Sequence, residues 1–204
     1  MNITAELEKI GIFKKGKESK TKMVFDKLYN DILTKPLNKA SEFIDNHWSI
    51  YEASAYNERD LNGKIFEALI AVLLYRCNIR PMYQQATLAF VPNAQFDIIT
   101  YTQDFGILSF SIKTSLRERY KQADLEAFAL KSVHRNSKSY LITLSKKEAI
   151  NVNKKIEASE MLGLEKVILA TSSEFDNFIE TIQSYKYEKP GQFSIVSKSG
   201  THTS

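Results

Sequence analysis

The chain has 204 residues, of which 43% are hydrophobic and 25% are charged. This balance is typical of a globular protein with a buried core, and it excludes a wholly disordered chain. No apolar run is long enough for a membrane-spanning helix, and the charged amino terminus lacks the apolar centre of a signal peptide. We therefore expect a protein of the prokaryotic cytoplasm. The single cysteine, Cys77, excludes an internal disulfide and a zinc site built on several thiolates.

The formal net charge of +4 is a weak indication of a polyanionic partner. Basic residues crowd two stretches, Lys14, Lys15, Lys17, Lys20 and Lys22 in the first and Lys113, Arg117, Arg119 and Lys121 in the second. The first stretch predicts a solvated surface. The sequence has no GxGxxG, P-loop or GxSxG motif and no histidine pair at metal-ligand spacing. These absences argue against dinucleotide-binding, P-loop, α/β-hydrolase and HNH-type sites.

Residues 1–60 predict a polar, helical amino-terminal segment that packs on the core. Apolar residues recur at helical spacing over residues 22–46, and Pro36 interrupts that pattern. Asn62 and Gly63 then open an apolar helix of about four turns that reaches Cys77.

The hydrophobic period changes after this helix. Three short runs rich in β-branched and aromatic residues follow, MYQQATLAF, AQFDIITYT and GILSFSIKT. Further along come a helix over 119–134, the strand SYLITL, a polar helix from 146 to about 160, the strand KVILA, and a helix capped by Ser172 or Ser173.

Short turns between the first three strands predict an antiparallel meander, and the helix after them allows a right-handed crossover to a parallel fourth strand. We expect an α/β fold with a mixed sheet and helices on both faces. The core would span 61–186, and the polar stretch 187–204 would form a flexible tail with little to pack against.

Polar residues stand at positions where the pattern calls for apolar ones. Glu67 lies within the apolar helix, and burying an unpaired carboxylate costs on the order of several kcal/mol, so it requires a partner such as a cation. Asp97 interrupts an apolar strand, and Ser111 and Lys113 share one face of the next strand. Because these strands are adjacent, Asp97 and Lys113 are expected to converge at one end of the sheet.

The helix over 119–134 has a buried face that begins polar. At about 100° per residue, its inward stripe consists of Arg119, Gln122, Ala123, Glu126, Leu130 and Val133. A helix whose buried side starts polar and continues apolar is expected to face a site. Glu126 is the acidic residue of that stripe.

Each of these positions also has a structural explanation. Asp97 can end a strand or accept turn hydrogen bonds, and Lys113 can be a surface lysine whose stem packs on apolar neighbours. Glu126 can pair with a basic residue of its own helix, and Glu67 can face solvent through a gap in the packing. Together these explanations require four coincidences around one sheet edge.

Asp97, thirteen intervening residues and then Ser111-Ile112-Lys113 resemble the PD-(D/E)XK nuclease signature of many type II restriction endonucleases and several repair nucleases. The order of elements from Gly63 to Leu144, about 80 residues, resembles the common core of that superfamily. Ser111 stands where the motif has a carboxylate. Some restriction endonucleases have SxK there and take the acid from the next helix.

Glu126, with twelve residues between it and Lys113, is placed for such a migrated acid, and Glu118 is the competing candidate. The resemblance implies a catalytic set of Asp97, Ser111, Lys113, Glu126 and Glu67. It implies that Asp97 and Glu126, supplemented by Glu67, hold Mg²⁺, and that Lys113 orients or deprotonates the attacking water. Contacts to neighbouring phosphates would come from Arg117, Arg119, Lys121 and Gln122.

The resemblance therefore implies a Mg²⁺-dependent type II restriction endonuclease that acts on double-stranded DNA as a homodimer. Its functional companion would be a DNA methyltransferase that protects host DNA, and no membrane partner is expected. The alternatives are a DNA repair or junction-resolving nuclease of the same fold and a catalytically inactive, nuclease-like DNA-binding module. A further alternative is an α/β protein that binds something else, with its carboxylates in structural salt bridges.

Overall fold

The computed structural model describes residues 2–191, 195–196 and 199–201. The helices are α1 (Ile3–Lys9), α2 (Lys20–Leu28), α3 (Ala40–Glu52), α4 (Arg59–Arg76), α5 (Arg119–Val133), α6 (Lys146–Glu157) and α7 (Ser173–Gln183). The strands are β1 (Met82–Leu88), β2 (Val91–Thr102), β3 (Gly106–Lys113), β4 (Lys138–Thr143), β5 (Lys166–Leu169), β6 (Ile195–Val196) and β7 (Ser199–Thr201). Among the helices described, none has the length and apolarity needed to cross a membrane.

The strands form one mixed sheet in the order β5-β4-β3-β2-β1-β6, and β7 also pairs with β1. Strands β1, β2 and β3 form an antiparallel meander. Strand β4 runs parallel to β3, and β5 runs parallel to β4. The predicted α/β class, the meander and the parallel fourth strand are thus confirmed.

Helices cover both faces of this sheet. On β4 and β5, Leu141 and Val167 pack in a cluster with residues of α5 and α6. Their neighbours Ile142 and Ile168 pack in the main core with residues of α4 and α7. Because successive strand residues point to opposite faces, the two clusters lie on opposite sides of the sheet.

The amino-terminal helices pack on the α4 side. Val24 of α2 and Ile44 of α3 are fully buried in the same cluster as α4, and Pro36 lies in the connection between α2 and α3. The first lysine stretch is only partly a solvated surface, because Lys22 is 3% exposed. Its ammonium group forms an ion pair with Glu8 and donates a hydrogen bond to the Lys14 carbonyl oxygen at 2.7 Å.

Helix α4 begins earlier than predicted. Its first residue is Arg59, so Asn62 and Gly63 lie inside the helix instead of opening it. The reason is that the Asn62 backbone N–H donates to the Glu58 carbonyl oxygen at 3.2 Å, while its side-chain oxygen accepts a hydrogen bond from the Tyr51 hydroxyl at 2.9 Å.

The predicted flexible tail is partly built into the structure, which corrects the expectation that it has little to pack with. Tyr187 forms a bridge to Thr102 and donates a hydrogen bond to the Ile182 carbonyl oxygen at 2.6 Å. Strands β6 and β7 pair with β1, whose edge would otherwise present unpaired backbone groups. The remainder of the predicted tail, residues 192–194, 197–198 and 202–204, lies outside the described residues.

Candidate active site

Strand β2 parts from β3 at Asp97. Their backbone pairing runs from Thr102–Gly106 to Ile98–Phe110 and stops there, although both strands continue. At this point the Asp97 Oδ2 atom accepts a hydrogen bond from the Ile112 backbone N–H at 2.7 Å. The carboxylate thus satisfies a buried backbone donor that would otherwise carry a large desolvation cost.

Lys113 completes this junction from β3. Its Nζ atom lies 2.6 Å from Asp97 Oδ2, so the two side chains converge as their strand positions predict. The Lys113 side chain is 23% exposed. It is therefore held by Asp97 yet still open to the cavity beside it.

A cavity of about 350 Å³ lies between the diverging strands and α5. It brings together six residues predicted from the sequence, namely Asp97, Ser111, Lys113, Arg119, Gln122 and Glu126. Ala123 of the predicted inward stripe and two further glutamines, Gln85 and Gln95, also line it. The polar start of α5 therefore faces a polar cavity.

Three of the six residues of the predicted inward stripe of α5 are buried or half-buried, while Arg119 and Gln122 line the cavity but are exposed. Ala123 and Leu130 are buried, and Glu126 is half-buried against the cavity. Val133 was predicted on the same stripe, but it is 46% exposed. It is the last residue of α5, beyond the turn that packs on the sheet.

Burial raises the pKa of the Glu126 carboxyl above its ordinary value, and the negative charge of Asp97 raises it further. Three contacts oppose this shift. The Gln122 side-chain amide donates to Glu126 Oε1 at 2.9 Å, the Lys113 charge is nearby, and the Gln95 backbone N–H donates to the carboxylate. Burial prevails over these contacts, and a cation bound beside Glu126 would favour its ionised form and lower this pKa.

Glu118, the competing candidate, does not line the cavity. It forms an ion pair with Lys121 on the exposed surface at the start of α5. The structure therefore places Glu126, and not Glu118, beside Asp97 and Lys113.

Glu67 is linked to Asp97 by the side-chain amide of Gln85. The Gln85 Nε2 atom donates hydrogen bonds to Glu67 Oε2 at 3.0 Å and to Asp97 Oδ1 at 3.3 Å. Gln85 has φ of 49°, a left-handed conformation that costs free energy for a residue with a side chain. This strained residue joins two of the predicted acidic residues.

The predicted phosphate contacts divide into two groups. Arg119 and Gln122 line the cavity, and the Arg119 guanidinium also donates to Ser115. Arg117 and Lys121 are exposed outside the cavity, and the Arg117 backbone N–H donates to Glu148 Oε1 at 2.8 Å. The two groups adjoin each other at the start of α5.

Sequence reasoning missed the roles of Gln85 and Gln95. Gln95 lies two residues before Asp97 on the same strand, so strand alternation was a usable signal for its face. Nothing in the sequence indicates the left-handed backbone of Gln85 or its contact with two carboxylates.

The donor set can be compared with the requirements of Mg²⁺. Within the part of the chain that the structure describes, no group of three or more His, Cys, Asp and Glu side chains is placed to hold a metal. Mg²⁺, however, commonly binds through one or two carboxylates and keeps several waters. Asp97 Oδ2 already accepts two hydrogen bonds, while among the described residues Oδ1 accepts one, the long bond from Gln85. Because Asp97 and Glu126 line the same cavity, their carboxylate oxygens have the chemistry that a hydrated divalent cation requires.

No protein-family model, curated protein sequence or solved structure matches the chain.

Proposed function

We propose that the protein is a Mg²⁺-dependent type II restriction endonuclease that hydrolyses phosphodiester bonds of double-stranded DNA at a specific short sequence. The observation that carries this proposal is the cavity at the β2–β3 junction. There the Asp97–Lys113 pair, Ser111 and Glu126 lie beside Arg119 and Gln122. This combination joins acidic metal ligands, a cation for the reacting centre and donors for phosphate oxygens.

Each residue has a role in the proposed hydrolysis. Asp97 and Glu126 would hold Mg²⁺, which lowers the pKa of a bound water and screens the phosphate charge. Lys113 donates a hydrogen bond that orients the attacking water, and its charge stabilises the negative charge that develops on the phosphate. Arg119 and Gln122 donate to the phosphate oxygens, and the Gln85 amide keeps Asp97 and Glu67 in place.

The proposal extends to assembly and partners. Two active sites related by a two-fold axis match the two scissile bonds of a symmetric site, so we propose a homodimer. A methyltransferase that modifies the same DNA sequence would be its functional companion. Sedimentation of the protein with and without DNA measures whether it is a dimer.

The decisive experiment is incubation of the purified protein with unmethylated plasmid DNA, with Mg²⁺ and with EDTA. Discrete fragments that require Mg²⁺ and disappear in the Asp97→Asn variant are expected. Asp45→Asn is the matched control, because Asp45 is exposed on α3 outside the cavity. Nicks confined to mismatched or branched DNA would instead indicate a repair or junction-resolving nuclease.

A second candidate is a catalytically inactive, nuclease-like DNA-binding module. Two observations favour it, namely that Ser111 stands where the motif has an acid and that Lys113 and Ile112 already occupy Asp97 Oδ2. An inactive module would bind duplex DNA in a salt-dependent manner without cutting it in any divalent metal. Binding without cleavage in wild type and Asp97→Asn alike would favour this candidate over the nuclease.

A further inference from the structure

A second cavity, of about 400 Å³, lies at the other end of α5. It is lined by the turn 103–106 between β2 and β3, the turn 134–137 between α5 and β4, and Phe90 at the tip of the β1–β2 hairpin. The candidate active site uses the first half of α5 and the last residues of β3. Since α5 rises about 1.5 Å per residue, the two cavities are roughly 20 Å apart.

Ser137 indicates that this cavity is built for a ligand. The residue is only 3% exposed, and among the described residues its Oγ atom has no hydrogen-bond partner. A buried hydroxyl without a partner is costly, so native proteins supply one in most cases. Ser137 lines the cavity, and rotation of its side chain about χ1 would bring Oγ, which has under 1 Å² of accessible area, to a bound molecule.

The other lining residues define the chemistry of that molecule. Phe90 is 62% exposed, so its ring face is open to the cavity, and Phe105 lines the same space. Arg135 is exposed and forms no ion pair with any residue that the structure describes. Asp104 lines the cavity from the turn between β2 and β3. The site thus offers aromatic faces, a guanidinium, a hydroxyl and a carboxylate acceptor.

We propose that this cavity binds a nucleotide unit, that is, a heteroaromatic base that carries a phosphate group. The base stacks on the exposed ring of Phe90, since stacking on aromatic side chains is a general mode of base binding. The Arg135 guanidinium binds the phosphate, for which its fork of donors is suited. Ser137 Oγ hydrogen-bonds the ligand, and the Asp104 carboxylate accepts from an exocyclic amino group. The size of the cavity falls within the range of small-molecule sites.

The source of such a unit is either a free nucleotide or an unpaired nucleotide of a DNA strand. Both share the chemistry of base and phosphate. The proposal is independent of the proposed nuclease activity, because it concerns binding in a separate cavity and is measured in EDTA.

Calorimetric titration of the full-length protein with deoxyadenosine monophosphate in EDTA tests the proposal. Saturable binding is expected, with weaker binding of adenosine and of inorganic phosphate, each of which lacks half of the ligand. Arg135→Gln is expected to weaken binding about tenfold, the effect of losing one charge-assisted contact to phosphate. Arg59→Gln is the matched control, because Arg59 is an exposed arginine outside this cavity. This variant should bind deoxyadenosine monophosphate as the wild type does.

Ser137→Ala separates a ligand-binding role from a structural one. If the hydroxyl serves ligand binding, it lacks a hydrogen-bond partner in the ligand-free protein. Its removal then raises the melting temperature of the ligand-free protein and weakens nucleotide binding. If the hydroxyl serves the fold, the same change lowers the melting temperature and leaves binding intact, which contradicts the proposal. Phe90→Leu gives an independent test, since it keeps an apolar side chain, removes the aromatic face and is expected to weaken binding.

A single-stranded oligodeoxyadenylate distinguishes the two sources. If Arg135→Gln weakens binding of both the oligonucleotide and the mononucleotide, the cavity accepts an unpaired nucleotide of a strand. If only mononucleotide binding responds, the ligand is a free nucleotide. The proposal is overturned if the mononucleotide does not bind saturably, or if its binding is the same in Arg135→Gln and Ser137→Ala as in the wild type. Plasmid cleavage, present or absent, has no bearing on these outcomes.

Discussion

Lys113 Nζ lies 2.6 Å from Asp97 Oδ2 at the point where β2 and β3 no longer share backbone hydrogen bonds. The ion pair therefore joins the two strands where the sheet ladder has ended. The same carboxylate also accepts the Ile112 backbone N–H. The proposed chemistry and the local stability of this junction depend on the same atoms.

The first prediction concerns this ion pair. Asp97→Asn is expected to lower the free energy of unfolding by about 1–3 kcal/mol, because Lys113 and the Ile112 N–H lose their charged acceptor. Combined with Lys113→Met in a double-mutant cycle, the coupling should be about 1 kcal/mol, since partial exposure of the lysine screens the pair. Urea denaturation measures both quantities.

Asp45→Asn controls for loss of one negative charge at an exposed position and should leave stability unchanged within about 0.5 kcal/mol. A coupling energy of zero would show that the ion pair contributes nothing to the junction. Cleavage should be lost in Asp97→Asn and in Lys113→Met but retained in the control.

The second prediction separates Glu126 from Glu118. Glu126→Gln should abolish Mg²⁺-dependent cleavage, because the cavity loses one of its two proposed metal ligands. Glu118→Gln should cleave normally, because Glu118 lies outside the cavity in an exposed pair with Lys121. Plasmid cleavage by the two variants in parallel decides between the residues. Loss of cleavage only in Glu118→Gln would reverse the assignment.

The raised pKa of Glu126 also predicts a dependence of stability on pH. Between the ordinary pKa and the raised one, the folded protein binds more protons than the unfolded chain, so its stability falls as the pH rises through that window. The Glu126→Gln variant has no titrating group at this position, so it does not lose stability in that pH window. It should therefore be more stable than the wild type at neutral pH and equally stable below the ordinary pKa of a glutamate side chain. Equal stability of both proteins at every pH would contradict the prediction.

The third prediction concerns the strained glutamine. Gln85→Gly should change the free energy of unfolding by less than about 1 kcal/mol, because relief of the positive φ is offset by loss of the amide hydrogen bonds to Glu67 and Asp97. The same change should lower the cleavage rate, because Asp97 and Glu67 lose the amide that joins them. Measuring the DNA dissociation constant alongside the rate shows whether the loss lies in catalysis. A variant that cleaves at the wild-type rate would disprove the positioning role.

The fourth prediction uses two glycines. A Cβ atom on Gly163 would lie 2.2 Å from the Asp124 carbonyl oxygen and 2.4 Å from the Phe128 backbone nitrogen, so Gly163 packs against α5 itself. Gly163→Ala is expected to lower stability by about 2–3 kcal/mol and to reduce cleavage by displacing α5. Gly63→Ala is the matched control, because apart from its chain neighbours and its own helix backbone no atom of the described residues lies within 4 Å of its Cβ position. It should raise stability by about 0.5–1 kcal/mol, the gain expected for alanine in a helix. Thermal denaturation measures both.

Much of the fold was accessible from the sequence because its signals are local. The alternating strands and the short turns between them predicted the meander, and helical spacing placed Glu126 on the side of α5 that faces the sheet. Strand alternation also placed Ser111 and Lys113 on one face, and Asp97 on the adjacent strand. These inferences need only the periods of strands and helices, which the side chains of one segment express by themselves.

Other features depend on which distant segments meet, and local periodicity contains no information about that. The burial of Lys22 and the pairing of residues after Tyr187 with the sheet arise from contacts between separate segments of the chain. The start of α4 at Arg59 is accompanied by a contact between Asn62 and Tyr51 of the preceding helix. The exposure of Val133 follows from where α5 ends relative to the sheet.

The candidate site divides in the same way. The sequence by itself determined the residue types of the site and the strands and helix that carry them, because those follow from composition and period. Only the tertiary structure decided that Glu126 lies in the cavity while Glu118 does not, and that Gln85 joins Glu67 to Asp97. The physical reason is that such choices depend on the divergence of two strands and on a left-handed backbone conformation, both of which are products of packing and not of local sequence.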